Sequence, residues 1–151
     1  MDQNRLALLM NEIDRQGGIN DFSAPSPAVP IDLFFQGNDD PGSIGCNIPD
    51  DEYPGIGKFY EVLKSIQIRN DVQAVLVRIY EVEDGMWPFS DEVYILTSAS
   101  LEEVKSWVAD LFPAEVYGDS ERNDGKDWES VKPLSGPDLL PGMNAFYVWW
   151  D

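Results

Sequence analysis

The stretch VQAVLVRIYEV, residues 72–82, decides how the rest of the chain is interpreted. Its valine, leucine and isoleucine residues occupy both alternating sets of positions, and β-branched residues of this kind favour strands. A strand that is apolar on both faces is typical of the middle of a sheet that is covered on each side. We therefore expect 72–82 to be a central strand, with the other elements arranged around it.

Two elements flank this strand along the chain. Before it, residues 55–69 repeat apolar side chains at helical spacing, which predicts an amphipathic helix. After it, the loop EDGMWPFSD (83–91) leads to EVYILT (92–97), a second β-branched and aromatic run. The short connection between the two runs predicts an antiparallel hairpin.

The N-terminal third predicts a helix, a proline-containing linker and a short strand. Residues 4–16 place four apolar side chains on one helical face, and a Gly-Gly pair ends that helix. After the linker, residues 31–35 (IDLFF) are interpreted as a strand entered from Pro30. This strand, the helix at 55–69 and the strand at 72–82 would form a βαβ unit, with parallel strands and a right-handed crossover.

The C-terminal half adds one more helix and two strands. Ser100 and Glu103 have the spacing of a capping box and predict a helix that runs to Phe112. Short strands are expected at 114–117 and at AFYVWW, 145–150. The predicted fold is therefore α/β or α+β, with a mixed sheet of four to five strands, three helices packed on it and one βαβ unit.

Length and composition predict a single globular domain that spans residues 1–151. Residues 1–28 would carry the first helix and the linker, and residues 29–151 the sheet-containing core. The chain is 43% hydrophobic and 12% aromatic, which is too apolar for an intrinsically disordered protein. A chain of this length also buries enough surface to fold without a disulfide or a structural metal.

Several kinds of chemistry are excluded by residues that the chain lacks. It has no histidine, which removes Ser-His-Asp and Cys-His mechanisms. Its single cysteine, Cys46, cannot form an internal disulfide or complete a zinc site. No apolar run approaches the ~20 residues of a membrane span, and the N-terminus does not resemble a signal peptide. We expect a protein of the reducing cytoplasm.

The charge balance is strongly acidic, with 28 Asp and Glu against 10 Lys and Arg, for a net charge of −18. Nucleic acids and anionic membranes both require a positive footprint, so neither is expected as a partner. A basic protein or a metal cation fits this charge better. A high net charge can also serve only to keep a protein soluble. The positions of the carboxylates in the fold therefore have to distinguish a binding role from solubility alone.

Two acidic loops follow the two strands of the predicted βαβ unit, at 36–55 and 81–92. Since the carboxyl ends of parallel strands share an edge, we expect both loops at one edge of the sheet. Neither loop contains a lysine or an arginine. Aromatic residues among the carboxylates have the anatomy of a protein-docking surface. The predicted contact residues are Asp39, Asp40, Asp50, Asp51, Glu52, Tyr53, Glu83, Asp84, Trp87 and Phe89.

The favoured interpretation is a non-catalytic module that binds a basic protein partner, for example an inhibitor or an immunity-type protein. The alternative is a Ca²⁺- or Mg²⁺-dependent enzyme or metal-binding protein that uses Asp39, Asp40, Asp50 and Asp51 as hard oxygen ligands. No segment has the spacing of an EF-hand loop, and no other cofactor is indicated. A third interpretation is that Trp87 and Phe89 fold back over the core and the carboxylates contact only water.

Overall fold

A five-stranded sheet forms the centre of the molecule, and every strand is antiparallel to its neighbours. The computed structural model describes all residues, 1–151. The strands lie in the order β1-β2-β3-β5-β4. Their bounds are Ala28–Pro30 (β1), Val72–Arg78 (β2), Glu92–Thr97 (β3), Glu115–Gly118 (β4) and Asn144–Trp149 (β5). The predicted central strand at 72–82 is confirmed over 72–78, because β2 lies inside the sheet between β1 and β3, but it ends four residues earlier than predicted.

Five α-helices accompany the sheet, and the three longest correspond to the three predicted ones. Their bounds are Gln3–Arg15 (α1), Ile31–Phe35 (α2), Ile56–Gln67 (α3), Leu101–Val108 (α4) and Trp128–Val131 (α5). The capping box at the start of α4 is present: the backbone N–H of Glu103 donates to Ser100 Oγ over 3.2 Å. None of these helices has the length and apolar character needed to cross a bilayer.

The α+β class of the fold is confirmed, but the predicted βαβ unit is wrong. Residues 31–35 form α2, and β1 precedes them and runs antiparallel to β2, with Val29 opposite Val77. The sheet is therefore not mixed. In IDLFF the buried residues are Ile31, Phe34 and Phe35, which have the i, i+3, i+4 spacing of a helix. A run of five apolar-rich residues is too short for periodicity to separate helix from strand.

The two faces of the sheet are covered differently. The first face contributes Val77, Ile95 and Val148 to the main core, which also contains the apolar sides of α1, α3 and α4. The second face carries Tyr94 and Tyr147 under α5 and the segment around it. Burial on both faces explains why β3 has no exposed residue along its whole length.

Three tryptophans fix irregular segments by donating to backbone carbonyls inside the protein. Trp87 Nε1 donates to the carbonyl of Phe34 over 2.9 Å, which ties the β2–β3 loop to α2. Trp128 Nε1 donates to the carbonyl of Pro137 over 2.9 Å, and Trp150 Nε1 donates to the carbonyl of Leu111 over 2.8 Å. An indole ring combines a large apolar surface with one donor, so each tryptophan both packs and orients a loop.

Candidate functional site

The two acidic loops lie side by side at one end of the sheet. The backbone N–H of Ser90 donates to the carbonyl of Ser43 over 2.8 Å, and Ile44 forms a short parallel bridge with Ser90. The loops meet through this direct pairing and not through a βαβ crossover, so the predicted neighbourhood exists for a different reason. We call their exposed carboxylates the acidic rim: Asp39, Asp50, Asp51, Glu52, Glu81, Glu83 and Asp84.

Most of the acidic rim has no counter-charge. Asp39 is the exception, since the amino group of Met1 lies 2.6 Å from its Oδ2 and lowers the pKa of this carboxyl. The other rim side chains form no ion pair. Like charges held together in this way repel one another and favour the approach of a cation.

Two of the predicted contact residues also stabilise the first loop. Asp40 is half-buried, and its Oδ1 accepts a hydrogen bond from the backbone N–H of Gly42 over 2.8 Å, at the start of a 3-10 turn. The Tyr53 hydroxyl donates to the carbonyl of Ile44 over 3.2 Å, and burial raises the pKa of Tyr53 to about 12. These bonds fix the backbone that presents the neighbouring carboxylates.

The prediction that Trp87 contacts a partner is wrong. Its side chain is 1% exposed and belongs to the main core, so it has no surface to offer. Phe89 is half-buried, and Met86 is 41% exposed in the same loop. The sequence could not separate these cases, because an aromatic residue in a polar loop is compatible with either an anchor to the core or a contact residue.

A groove of about 410 Å³ opens beside the rim, between the end of β5 and the two loops. Its aromatic lining residues are Tyr80, Phe89, Trp149 and Trp150, and no lysine or arginine lines it. Three carboxylate residues also line it: Glu81, Asp91 and Asp151. Asp91 is already paired, because Arg78 Nη1 donates to its Oδ1 over 3.0 Å.

The four predicted metal ligands do not form a coordination site. No group of three or more Asp, Glu, His or Cys side chains is placed to hold a metal ion. Asp39 and Asp40 are engaged by Met1 and by the 3-10 turn, whereas Asp50 and Asp51 project from a separate, exposed turn. The divalent-metal interpretation stays a prediction that no observation in the structure favours.

A second polar cluster lies on the second face of the sheet, the face that carries Tyr94 and Tyr147. The sequence did not predict it. Glu92 is 7% exposed in β3 and accepts a hydrogen bond from the Tyr117 hydroxyl over 3.3 Å. Arg122 Nη1 lies 3.7 Å from the same carboxylate oxygen, and its guanidinium lies 4.6 Å from the centre of the Tyr147 ring. The Tyr147 hydroxyl in turn donates to Asp119 over 2.6 Å.

Burial dominates the protonation behaviour of this cluster. It raises the pKa of Glu92 despite the nearby arginines, and it raises that of Tyr117 to about 12. One signal for it was present in the sequence, because EVYILT places Glu92 on the same strand face as Tyr94. The contribution of Arg122 had no signal, since it comes from an irregular polar segment.

The fold and its loops define an acidic α+β domain with a rim of unpaired carboxylates at one end. The chain belongs to the Uncharacterized protein YfbO family, whose model matches residues 3–148. It is similar to the "Uncharacterized protein YfbO" of Escherichia coli (strain K12), with 33% identity over 140 residues that cover 92% of this chain and 93% of that protein. No solved structure matches the chain.

Proposed function

We propose that this protein is a non-catalytic binding module that docks a basic protein partner through the acidic rim. The observation that carries the proposal is the direct pairing of Ser90 with Ser43, which brings the two loops together with unpaired carboxylates on both. Such a concentration of one charge accelerates the encounter with an oppositely charged surface. It also disfavours acidic competitors, which gives the interaction selectivity.

The apolar part of the interface would come from exposed side chains next to the rim. Tyr80 is 58% exposed, Met86 is 41% exposed and Phe89 is half-buried. Tyrosine and methionine are enriched at the centres of interfaces, where they are surrounded by polar residues. Trp87 supports this surface from below through its bond to Phe34.

The loops are held in place before any partner arrives. Trp87 attaches the second loop to α2 by donating to Phe34. Tyr53 donates to Ile44 within the first loop, and Ser90 joins the two loops by donating to Ser43. A surface that is already ordered loses less conformational entropy on binding. This favours a protein that acts by occupying its partner, as an inhibitor or an immunity-type protein does. We place it in a reducing cytoplasm, which suits the exposed and unpaired Cys46.

The test compares two variants from which the same number of charges has been removed. The rim variant neutralises four exposed residues without ion pairs: Asp50→Asn, Asp51→Asn, Glu83→Gln and Asp84→Asn. The control variant neutralises four exposed residues on the helices: Asp14→Asn, Glu61→Gln, Glu102→Gln and Glu129→Gln. The exposed lysine pairs that the control loses contribute little to stability, so both variants should fold.

Each variant and the natural protein are immobilised and exposed to lysate of the source cells at low and moderate salt, and bound proteins are identified by mass spectrometry. We expect a basic protein that the natural protein and the control variant retain and that the rim variant loses. Its association rate should fall with salt for the natural protein and much less for the rim variant. Equal retention by both variants, or no retained protein at all, would contradict the proposal.

A further inference from the structure

The groove beside the acidic rim has the lining of a site for a single guanidinium group. We propose that it receives an arginine side chain of the basic partner, an inference that rests on the proposed function. Four aromatic residues and three carboxylate residues line it, and none of its lining residues is basic. Arginine is among the residues that most often anchor an interface by filling a pocket on the other protein.

The aromatic lining favours arginine over other side chains. Tyr80, Phe89, Trp149 and Trp150 all line the groove. A guanidinium is planar and weakly hydrated, so it can stack on such rings and keep its hydrogen-bond donors at the edges. A lysine ammonium is more strongly hydrated and cannot stack as a plane. A neutral apolar side chain would leave the carboxylates that line the groove unpaired.

The carboxylates supply the matching charge. Glu81 and Asp151 line the groove and form no ion pair within the protein. Asp91 is paired with Arg78, whose guanidinium also lies 5.7 Å from the centre of the Tyr80 ring. Glu81 and Asp151 therefore remain as the two carboxylates of the lining that are free to accept from a bound guanidinium.

The largest cavity on the second face of the sheet does not offer the same chemistry. It measures about 510 Å³ and is lined by Arg78, Arg122 and Lys126. These side chains would repel an incoming cation, and two of them already pair with aspartates over 3.0 Å and 2.6 Å. Of the two sites, only the groove beside the rim has aromatic and carboxylate lining residues without a basic one.

The test uses a defined probe in place of the partner. Acetyl-Gly-Arg-Gly-amide is titrated into ¹⁵N-labelled protein at low salt. Two matched peptides are titrated in the same way, one with citrulline, which has nearly the shape of arginine without the charge, and one with lysine. We expect saturable chemical-shift changes for the arginine peptide that are confined to residues 42–47, 80–91 and 149–151. The citrulline and lysine peptides should bind more weakly, by about threefold to tenfold, which is the range of a partly desolvated cation–π contact.

Single substitutions then separate the groove from the rim. Tyr80→Ala and Glu81→Gln should each weaken the arginine peptide by about threefold to tenfold, because both remove a lining group. Asp84→Asn removes the same charge from an exposed rim position that does not line the groove, and it should change the affinity by less than about twofold. Tyr80 is exposed, so its removal should leave the fold intact.

The inference is overturned if the citrulline peptide binds as well as the arginine peptide, or if Glu81→Gln and Asp84→Asn weaken binding equally. The two proposals also fail separately. If the four-residue rim variant loses the basic partner while Tyr80→Ala retains it at full affinity, docking stands and the arginine site is wrong. If neither variant changes partner binding, both proposals are wrong.

Discussion

Substitution of Trp87 distinguishes a core anchor from a docking residue. Trp87→Phe keeps an aromatic ring in the core but removes the N–H that donates to the carbonyl of Phe34 over 2.9 Å. A buried carbonyl left without a donor costs about 1–3 kcal/mol. The smaller ring also leaves a cavity, which adds about 1 kcal/mol at a site with 1% exposure. We expect the free energy of unfolding to fall by about 2–4 kcal/mol.

Urea unfolding followed by circular dichroism measures this loss. With a slope of about 2 kcal/mol per molar urea for a domain of this size, the midpoint should fall by about 1–2 M. Met86→Ala is the control in the same loop, and it should change the free energy of unfolding by less than about 0.5 kcal/mol because Met86 is exposed. An unchanged midpoint for Trp87→Phe, together with weaker partner binding, would refute the assignment of Trp87 to the core.

Three further substitutions test other parts of the structure, each by urea unfolding. Burial raises the pKa of Glu92 above its ordinary 4.5. The folded protein should therefore lose stability as the pH rises from 4.5 through the raised pKa, because the unfolded chain ionises this carboxyl more easily. Glu92→Gln should remove that decline. Ser100→Ala removes the cap of α4 and should cost about 1 kcal/mol, which Ser100→Asp should largely restore. Gly45 has φ +65°, and a Cβ there would lie 2.9 Å from the Phe59 ring, so Gly45→Ala should cost about 1–3 kcal/mol. Gly57→Ala is its control, because Gly57 lies in α3 with open space around it and alanine should be neutral or stabilising there.

The long amphipathic helices and the buried strands could be predicted from the sequence because their patterns are long enough to be unambiguous. EVYILT was placed at 92–97, and β3 has those bounds. The capping box fixed the start of α4 for the same reason, since its two residues have a single structural meaning at that spacing. In both cases local preference and tertiary packing agree, which is the condition under which local patterns are informative.

The structure of the segment at 28–35 could not be predicted in this way, because its local pattern does not determine its structure. β1 has only three residues, and its pairing with β2 depends on Val29 meeting Val77 across the sheet, which no local pattern encodes. The sequence does not separate helix from strand in the following residues, 31–35, because five apolar-rich residues fit either period. Asp32 then stabilises α2 through Lys64 Nζ, which donates to it over 3.0 Å from α3. That contact depends on the tertiary fold, so the sequence alone could not supply it.

The acidic rim has one part that the sequence predicts and one part that it does not. Its composition was readable from the sequence, but its geometry depends on the pairing of Ser43 with Ser90 and on the burial of Trp87. Unpaired carboxylates on adjacent loops repel one another, which opposes the pairing of the loops. Hydrogen bonds from Ser90, Tyr53 and Trp87 hold both loops from within. The protein thus retains an unfavourable charge arrangement by anchoring its backbone, and a basic partner would relieve that repulsion at little further cost in conformational entropy.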